Sequence, residues 1–271
     1  MRKVNRIFTI LVFFFLYVPM IVLAVASFNK GTDIAVFQGF TLNQYKELFR
    51  DDNLLRLLGN SLIIAVISSA VATVLGTVAS VGIHSMRGKL RSAVMGLTNI
   101  PMTNPDIVTG VSLALLFAFV GVLLRINSVL GFWTLLIAHI TFSLPYIILN
   151  VMPKLAQMDP DLTEAALDLG CTPTQAFFKV VLHEIMPGII SGALMAFTMS
   201  LDDFVISYFV TGSGFVTLPV EIYSYTKKPI QPKVYAMFTL MFVAILLLMV
   251  TMNLLQARDT SRRLRRKEAR R

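Results

Sequence analysis

One cysteine, one tryptophan and three histidines in 271 residues leave little material for several kinds of chemistry. A lone Cys171 excludes an intrachain disulfide and a thiol zinc site of the finger kind. No GxxxxGK(S/T) phosphate loop, HExxH string or GxSxG elbow is present, and spacing places no paired catalytic groups. Charge is scarce too: 14% of residues are charged, against about 25% in a soluble domain. What fills the chain is apolar, with 56% hydrophobic residues and a mean hydropathy of +0.74. The excess lies in long uncharged runs, not in a larger core. That excludes a cytosolic enzyme, a nucleic-acid-binding module and a disordered chain, and predicts an all-α polytopic membrane protein.

Six runs are long enough to cross a bilayer. Ile7 to Asn29 is uncharged over 23 residues, where a helical span needs about 20. Arg2, Lys3 and Arg6 precede it and Ala24-Val25-Ala26-Ser27 resembles a cleavage site, but the stretch exceeds a signal-peptide core of about 7–15 residues. An uncleaved first span is expected. The others are Leu57–Met86, a broken region Ser92–Leu124 holding Pro101, Pro105 and Asp106, Ile126–Pro153, Ile185–Val220 interrupted by Asp202-Asp203, and Val234–Ala257. Prolines in the third region predict a kinked helix or two pieces.

The net charge of +9 resembles a nucleic-acid signal until it is located. Arg258 to Arg271 holds eight basic and two acidic residues, so this tail alone carries +6. Placing both termini inside puts 16 of the 24 basic residues on the inner side, including the purely basic 87–91 loop. The cytoplasmic orientation of both termini follows, with the tail against anionic lipid. No nucleic-acid partner is expected.

The inner segment from about 152 to 184 departs from this rule, carrying five acids and two lysines. Asp159-Pro160-Asp161 reads as a helix start, with Pro160 suited to a first helical position and the acids favouring the positive helix end. Gly170 suits a left-handed position that ends the helix 162–169. Thr172-Pro173-Thr174-Gln175 then reads as a capping box opening a second helix. Ala165 and Ala166 are expected to keep the first helix low enough for a partner to approach closely.

At these residues the chain resembles the permease subunits of ABC importers. Glu164-Ala165-Ala166, three residues and Gly170 are similar to their EAA loop; Val180, Leu182 and Pro187 continue the pattern, and His183 stands where that family has proline. The resemblance implies a coupling helix seated in a cytoplasmic ATPase subunit, with Glu164 making a polar contact and Gly170 setting the bend. It also implies the type I importer permease (MetI-like) fold.

Charges inside spans cost roughly 2.5–3.5 kcal/mol on insertion scales and are functional candidates by default. Here they are Asp106, Asp202 and Asp203, all acidic, with no lysine or arginine well inside a span. A cationic substrate fits better than an anion. Asp106, after Asn104-Pro105, also suits the first turn of a half-helix. Adjacent helical residues point about 100° apart, so one of Asp202 and Asp203 is expected on the path and the other bonded structurally. Tyr208, Tyr223 and Tyr225 have two readings, cation–π contact with an ammonium or an interfacial aromatic belt. His139 is read as a hydrogen-bonded packing residue, not a proton relay.

Pro105-Asp106-Ile107-Val108, Gly131-Phe132-Trp133, His139-Ile140-Thr141-Phe142, Ser200-Leu201-Asp202-Asp203 and Phe209-Val210-Thr211-Gly212 resemble permease subunits of spermidine/putrescine importers. This implies a polyamine substrate, a sister permease, two ATPase subunits and an extracytoplasmic substrate-binding protein. No cofactor is expected in this chain, since ATP and Mg would belong to the ATPase subunits. The expected divisions are a first span and outer loop (1–56), a five-span permease core (57–257) and a basic tail (258–271). The rivals are a permease for another small solute and a secondary cation transporter. A membrane-embedded enzyme lacks a motif to support it.

Overall fold

The computed structural model describes residues 2–31, 36–126, 128–159, 161–212, 214–226 and 232–268. The described chain is helical, with two isolated β-bridges, Asn29 to Phe40 and Gly212 to Phe215. In order come α1 (Arg2–Ser27), α2 (Asn43–Arg50), α3 (Asp52–Ser85), α4 (Gly88–Thr103), α5 (Asp106–Leu124) and α6 (Phe132–Gln157). They are followed by α7 (Asp161–Asp168), α8 (Pro173–Ala176), a π-turn (Phe177–Val181) and α9 (Leu182–Asp202). Last come α10 (Val205–Val210), α11 (Leu218–Thr226) and α12 (Pro232–Glu268).

Six stretches are long and apolar enough to cross a bilayer: Arg6–Ser27, Asp52–Ser85, Asp106–Leu124, Phe132–Gln157, Pro173–Asp202 and Pro232–Thr251. They coincide with the six uncharged runs, with one displacement. The fifth span begins at Pro173, ahead of the uncharged run at Ile185, and it ends at Asp202. The Thr172 cap starts a helix that never stops, because the π-turn passes it on to α9 without a break. Lys179, His183 and Glu184 therefore occupy the first turns of a span and not a loop. Long side chains near a span end reach the interface with their polar heads. The third region is two helices, α4 and α5, separated at Asn104-Pro105 where both residues are extended.

By its contacts the chain divides into two compact units. One comprises Met1–Arg56 with Tyr225–Arg271, the other Leu57–Ser224. In the first, α12 packs against α1 and α2. Asp51 organises part of this unit: its Oδ1 accepts the backbone N–H groups of Asn53 and Leu54 at 3.1 Å, capping α3, while Lys233 Nζ donates to its Oδ2 at 2.7 Å.

In the second unit, α6 and α9 form the main helix pair. Ile147, Ile148 and Val151 of α6 pack with Ala72 and Ile83 of α3, Val181 of the π-turn and Ile185 and Ala196 of α9. A second cluster joins Ile64 of α3 and Phe117 of α5 to Leu135, Ala138 and Phe142 of α6 and to Ile206 and Val210 of α10. Close approach of α6 and α9 depends on small residues, as is usual in lipid. A Cβ at Gly188 would lie 2.7 Å from the Asn150 carbonyl oxygen, and one at Gly192 would lie 3.1 Å from Ile147 Cα.

The Lys233 hydrogen bond, with help from the α3 amides, holds the Asp51 carboxyl below its ordinary value of 3.8. A carboxyl with a lowered folded value contributes stability that is complete above the ordinary value. That contribution is lost as pH falls through the folded value. Asp51→Asn is therefore expected to lower the thermal midpoint of the purified protein by a constant amount between pH 5 and 8. The gap to the unsubstituted protein should close below about pH 4. A gap independent of pH down to the lowest value measured would disprove the ion-pair assignment.

Candidate functional site

Asp202 and Asp203 fall where α9 ends. Asp202 is the last helical residue, Asp203 is extended (φ −62°, ψ 119°), and the chain re-enters a helix at Val205. The expected 100° divergence therefore does not apply, because the helix stops between the two. Both line one cavity of about 280 Å³ together with Asp106, Thr109, Tyr146, Met199 and Phe204. Phe142 and Pro101 complete its apolar side, and no lysine or arginine is among its described lining residues. Tyr146 lies 14 residues beyond Phe132 on α6, roughly 21 Å along a helix of roughly 39 Å at ~1.5 Å per residue. The cavity is therefore near mid-depth of the bundle.

The three acids differ in their surroundings. Asp106 sits in the first turn of α5, where the positive end of the helix favours a carboxylate. Asp203 is bonded on its own chain and not to a neighbouring helix. Its Oδ2 accepts Ser207 N–H at 2.7 Å and Ser207 Oγ–H at 2.8 Å, and its Oδ1 accepts Ile206 N–H at 3.3 Å. It thereby caps α10, leaving its side chain 10% exposed. Asp202 is exposed and has no side-chain partner among the described residues.

Behind Asp203 lies His139, fully buried on α6. Its Nδ1 is 2.6 Å from Ser200 Oγ and its Nε2 is 2.9 Å from Ser207 Oγ. Ser200 Oγ is in turn 3.0 Å from Ser68 Oγ on α3. The reading of His139 as a hydrogen-bonded residue agrees with this. Its proximity to Asp203, 3.6 Å from Nε2 to Oδ2, has no signal in the sequence, because 64 positions separate the two.

The tyrosines are only partly assembled. Phe204, which lines the cavity, packs against Tyr223 (ring centroids 4.4 Å apart) and Tyr208 (5.6 Å). Neither tyrosine lines the cavity itself, and Tyr225 belongs to the other compact unit. The tyrosine that does line it is Tyr146, which sequence reasoning missed. A single tyrosine in a buried helix carries no spacing signal.

The second candidate region is the turn after α7. Gly170 adopts φ +85°, Gly170 N–H bonds to Leu167 O at 2.9 Å and Cys171 N–H bonds to Ala166 O at 3.0 Å. These are the two bonds of a Schellman turn, which needs a left-handed residue at this position. Thr172 and Gln175 make the reciprocal capping box, at 3.3 and 3.2 Å. Glu164 and Ala165 are exposed, whereas Ala166 is buried, so only one of the two alanines is at the surface. Beside them Leu169 is 85% and Phe178 60% exposed. The Pro160 position lies outside the described residues.

Six spans, a mid-depth acidic cavity entered by two interrupted helices and a capped, exposed inter-span helix define a solute permease of the ABC importer type. Residues 72–262 match the family described as binding-protein-dependent transport system inner membrane component, and the chain belongs to it. It is 38% identical to the spermidine/putrescine transport system permease protein PotC of Haemophilus influenzae, over 93% of this chain and 96% of that one. Identity to PotC of Escherichia coli K12 is 37%, over 93% and 92%. To the putrescine transport system permease protein PotI of the same organism it is 38%, over 93% and 90%. Among solved structures, a bacterial ABC transporter importing the acidic polysaccharide alginate matches with TM-score 0.74 at 15% identity, over 94% of this chain and 95% of that one. The MetNI methionine transporter matches with TM-score 0.59 at 21% identity, over 76% and 94%. At these identities the likeness is one of fold, and it agrees with the expected MetI-like permease architecture.

Asp203 and Asp202 should separate in a stability measurement. Asp203→Ala removes a cap and strips Ser207 of its acceptor, so it should destabilise the protein by about 1–2 kcal/mol. Asp202→Ala removes no partner and should not lower the thermal midpoint. Equal losses for the two variants would contradict the capping role.

Proposed function

We propose that the chain is the membrane permease of an ATP-driven importer whose substrate is a polyamine, passed through the acidic cavity by alternating access. One observation carries the substrate class: three carboxylates converge on a mid-depth cavity that has no basic residue among its described lining. The polyamine names of relatives 37–38% identical over most of the chain support the same class. A cavity of about 280 Å³ falls at the small end of ligand pockets of roughly 300–1,000 Å³. It suits one aminoalkyl end of a linear polyamine, with a sister permease supplying the rest of the path.

The division of labour follows from the geometry. Asp202, unpartnered and exposed, would meet the ammonium group directly. Asp203 and Asp106, fixed at helix starts, would add field without moving. Tyr146, Phe142 and Phe204 offer aromatic faces to an ammonium and apolar contact to the methylenes. These contacts must stay weak enough for release. Tyr208 and Tyr223 would act by holding Phe204 in place.

ATP and Mg would be bound and ATP hydrolysed by two partner ATPase subunits, into which Glu164, Ala165 and the exposed Leu169 would dock, with Gly170 setting the bend. Both termini would be cytoplasmic, on the side where basic residues concentrate. An extracytoplasmic binding protein would deliver substrate near the outer loops, about 30–56 and 212–233.

Uptake of labelled spermidine into proteoliposomes holding the complete transporter, with binding protein outside and ATP inside, tests the reading. Uptake should require ATP and be displaced by cold putrescine or spermidine. Asp202→Asn should lower it about ten-fold with the complex intact, the loss expected for one charge-assisted contact. Glu164→Arg should abolish coupling between ATP hydrolysis and uptake. An assembled complex that hydrolyses ATP yet moves no polyamine would sink the substrate assignment. Uptake that persists without ATP and collapses with an uncoupler would favour the secondary cation transporter.

A further inference from the structure

The buried hydroxyl and imidazole groups behind Asp203 have a direction. Ser207 Oγ–H is committed to Asp203 Oδ2 at 2.8 Å. A hydroxyl has one proton, so toward His139 Nε2 at 2.9 Å the Ser207 oxygen accepts. His139 therefore carries its proton on Nε2. In a neutral ring Nδ1 is then an acceptor, and Ser200 Oγ–H donates to it at 2.6 Å. Ser200 Oγ also lies 3.0 Å from Ser68 Oγ, whose hydroxyl has a second acceptor in Ala65 O at 3.4 Å. Three side chains, from α9, α6 and α10, thus form one head-to-tail run of hydrogen bonds that ends on a cavity carboxylate.

Two further observations set its purpose. His139, Ser200, Ser207 and Ser68 are all essentially inaccessible, the most exposed being Ser200 at 3%. None of them is among the described residues lining the cavity. The run also delivers its last proton to Oδ2, which already receives the Ser207 amide, whereas Oδ1 receives the longer 3.3 Å bond from Ile206. Oδ2 takes the two shorter bonds, and Oδ1 is the less committed oxygen. An imidazolium would place a second charge at a fully buried ring whose Nε2 lies 3.6 Å from Oδ2, too long for a hydrogen bond.

We infer that His139 is a positioning residue for transport: as the neutral Nε2–H tautomer it fixes, through Ser207, the orientation in which Asp203 presents Oδ1 to a cation in the cavity. The inference rests on the reading of Asp203 as a path residue. It predicts that His139 acts only through Asp203, and that only the donor at the ε position matters.

The test uses the complete transporter and has two arms. In the first, nitrogen-15 NMR of histidine-labelled protein in lipid, with His139→Gln to assign the signal, should show a neutral ring protonated at Nε2. A ring protonated at Nδ1, or an imidazolium, overturns the inference. In the second arm, spermidine uptake should fall about ten-fold in His139→Leu, as expected when a buried bond to a charged group is lost. His139→Gln, whose amide donates from the same position, should recover to within about three-fold. On an Asp203→Asn background His139→Leu should add no further loss; a full additional ten-fold drop makes His139 merely structural and overturns the inference. Ser207→Ala repeats the cycle where His139→Leu does not assemble. Unchanged uptake in Asp203→Asn would instead remove Asp203 from the path. The positioning role then falls with it, while the tautomer is still decided by the spectrum.

Discussion

A helix that stops at mid-depth in a bilayer leaves amide and carbonyl groups with no water to meet them. This chain has two such interruptions, α4 to α5 at Asn104-Pro105 and α9 to α10 at Asp203-Phe204. The cavity is the place where both occur. Asp203 resolves one of them by accepting two amides of α10, and Thr109 and Asn104 meet across the other at 3.4 Å. Polar groups at this depth are thus first a requirement of broken helices. Asp203 is one of the groups by which that requirement is met.

The Gly170 turn and the cavity lie at the two ends of one element. From Pro173 to Asp202 the chain is helical for 30 residues, roughly 45 Å at ~1.5 Å per residue. Its start is set by the Thr172 cap directly after the Gly170 turn, and its end is the first cavity acid. Between that turn and the cavity the chain therefore runs as a single helix. The irregularity in that helix is the π-turn at Phe177–Val181, which buries Val181 against α6 while leaving Phe178 exposed. Packing of Gly188 and Gly192 against α6 makes the pair stiff beyond that point, since neither position has room for a side chain.

What could be read from the sequence followed range of interaction. The six spans, the break at Pro105, the capping box at Thr172 and the left-handed Gly170 are local, each set within a few residues by steric or hydrogen-bonding rules. They were legible. The start of the fifth span was not, because Lys179 and Glu184 interrupt an apolar run that the helix ignores once it has been capped. The divergence expected of Asp202 and Asp203 failed for a similar reason: it presumes a helix through both, and nothing local announces that α9 ends between them. Tyr146 and the His139 to Ser207 contact depend on the packing of α6 against α9 and α10. No spacing rule reaches that far.

The three cavity acids are not equivalent once helix ends are considered. A carboxylate at a helix start is stabilised by the unpaired amides there, and one at a helix end is opposed by unpaired carbonyls. Asp106 and Asp203 lie at starts and so have a structural reason to be where they are. Asp202 lies at the end of α9, beside Asp203, with no partner among the described residues. Both neighbours oppose its charge, and insertion into the bilayer opposes it again. A residue so placed lowers the stability of the empty protein unless a cation offsets it. The helix starts therefore account for two of the acids, and the third is the one that the proposed contact with a cation would explain.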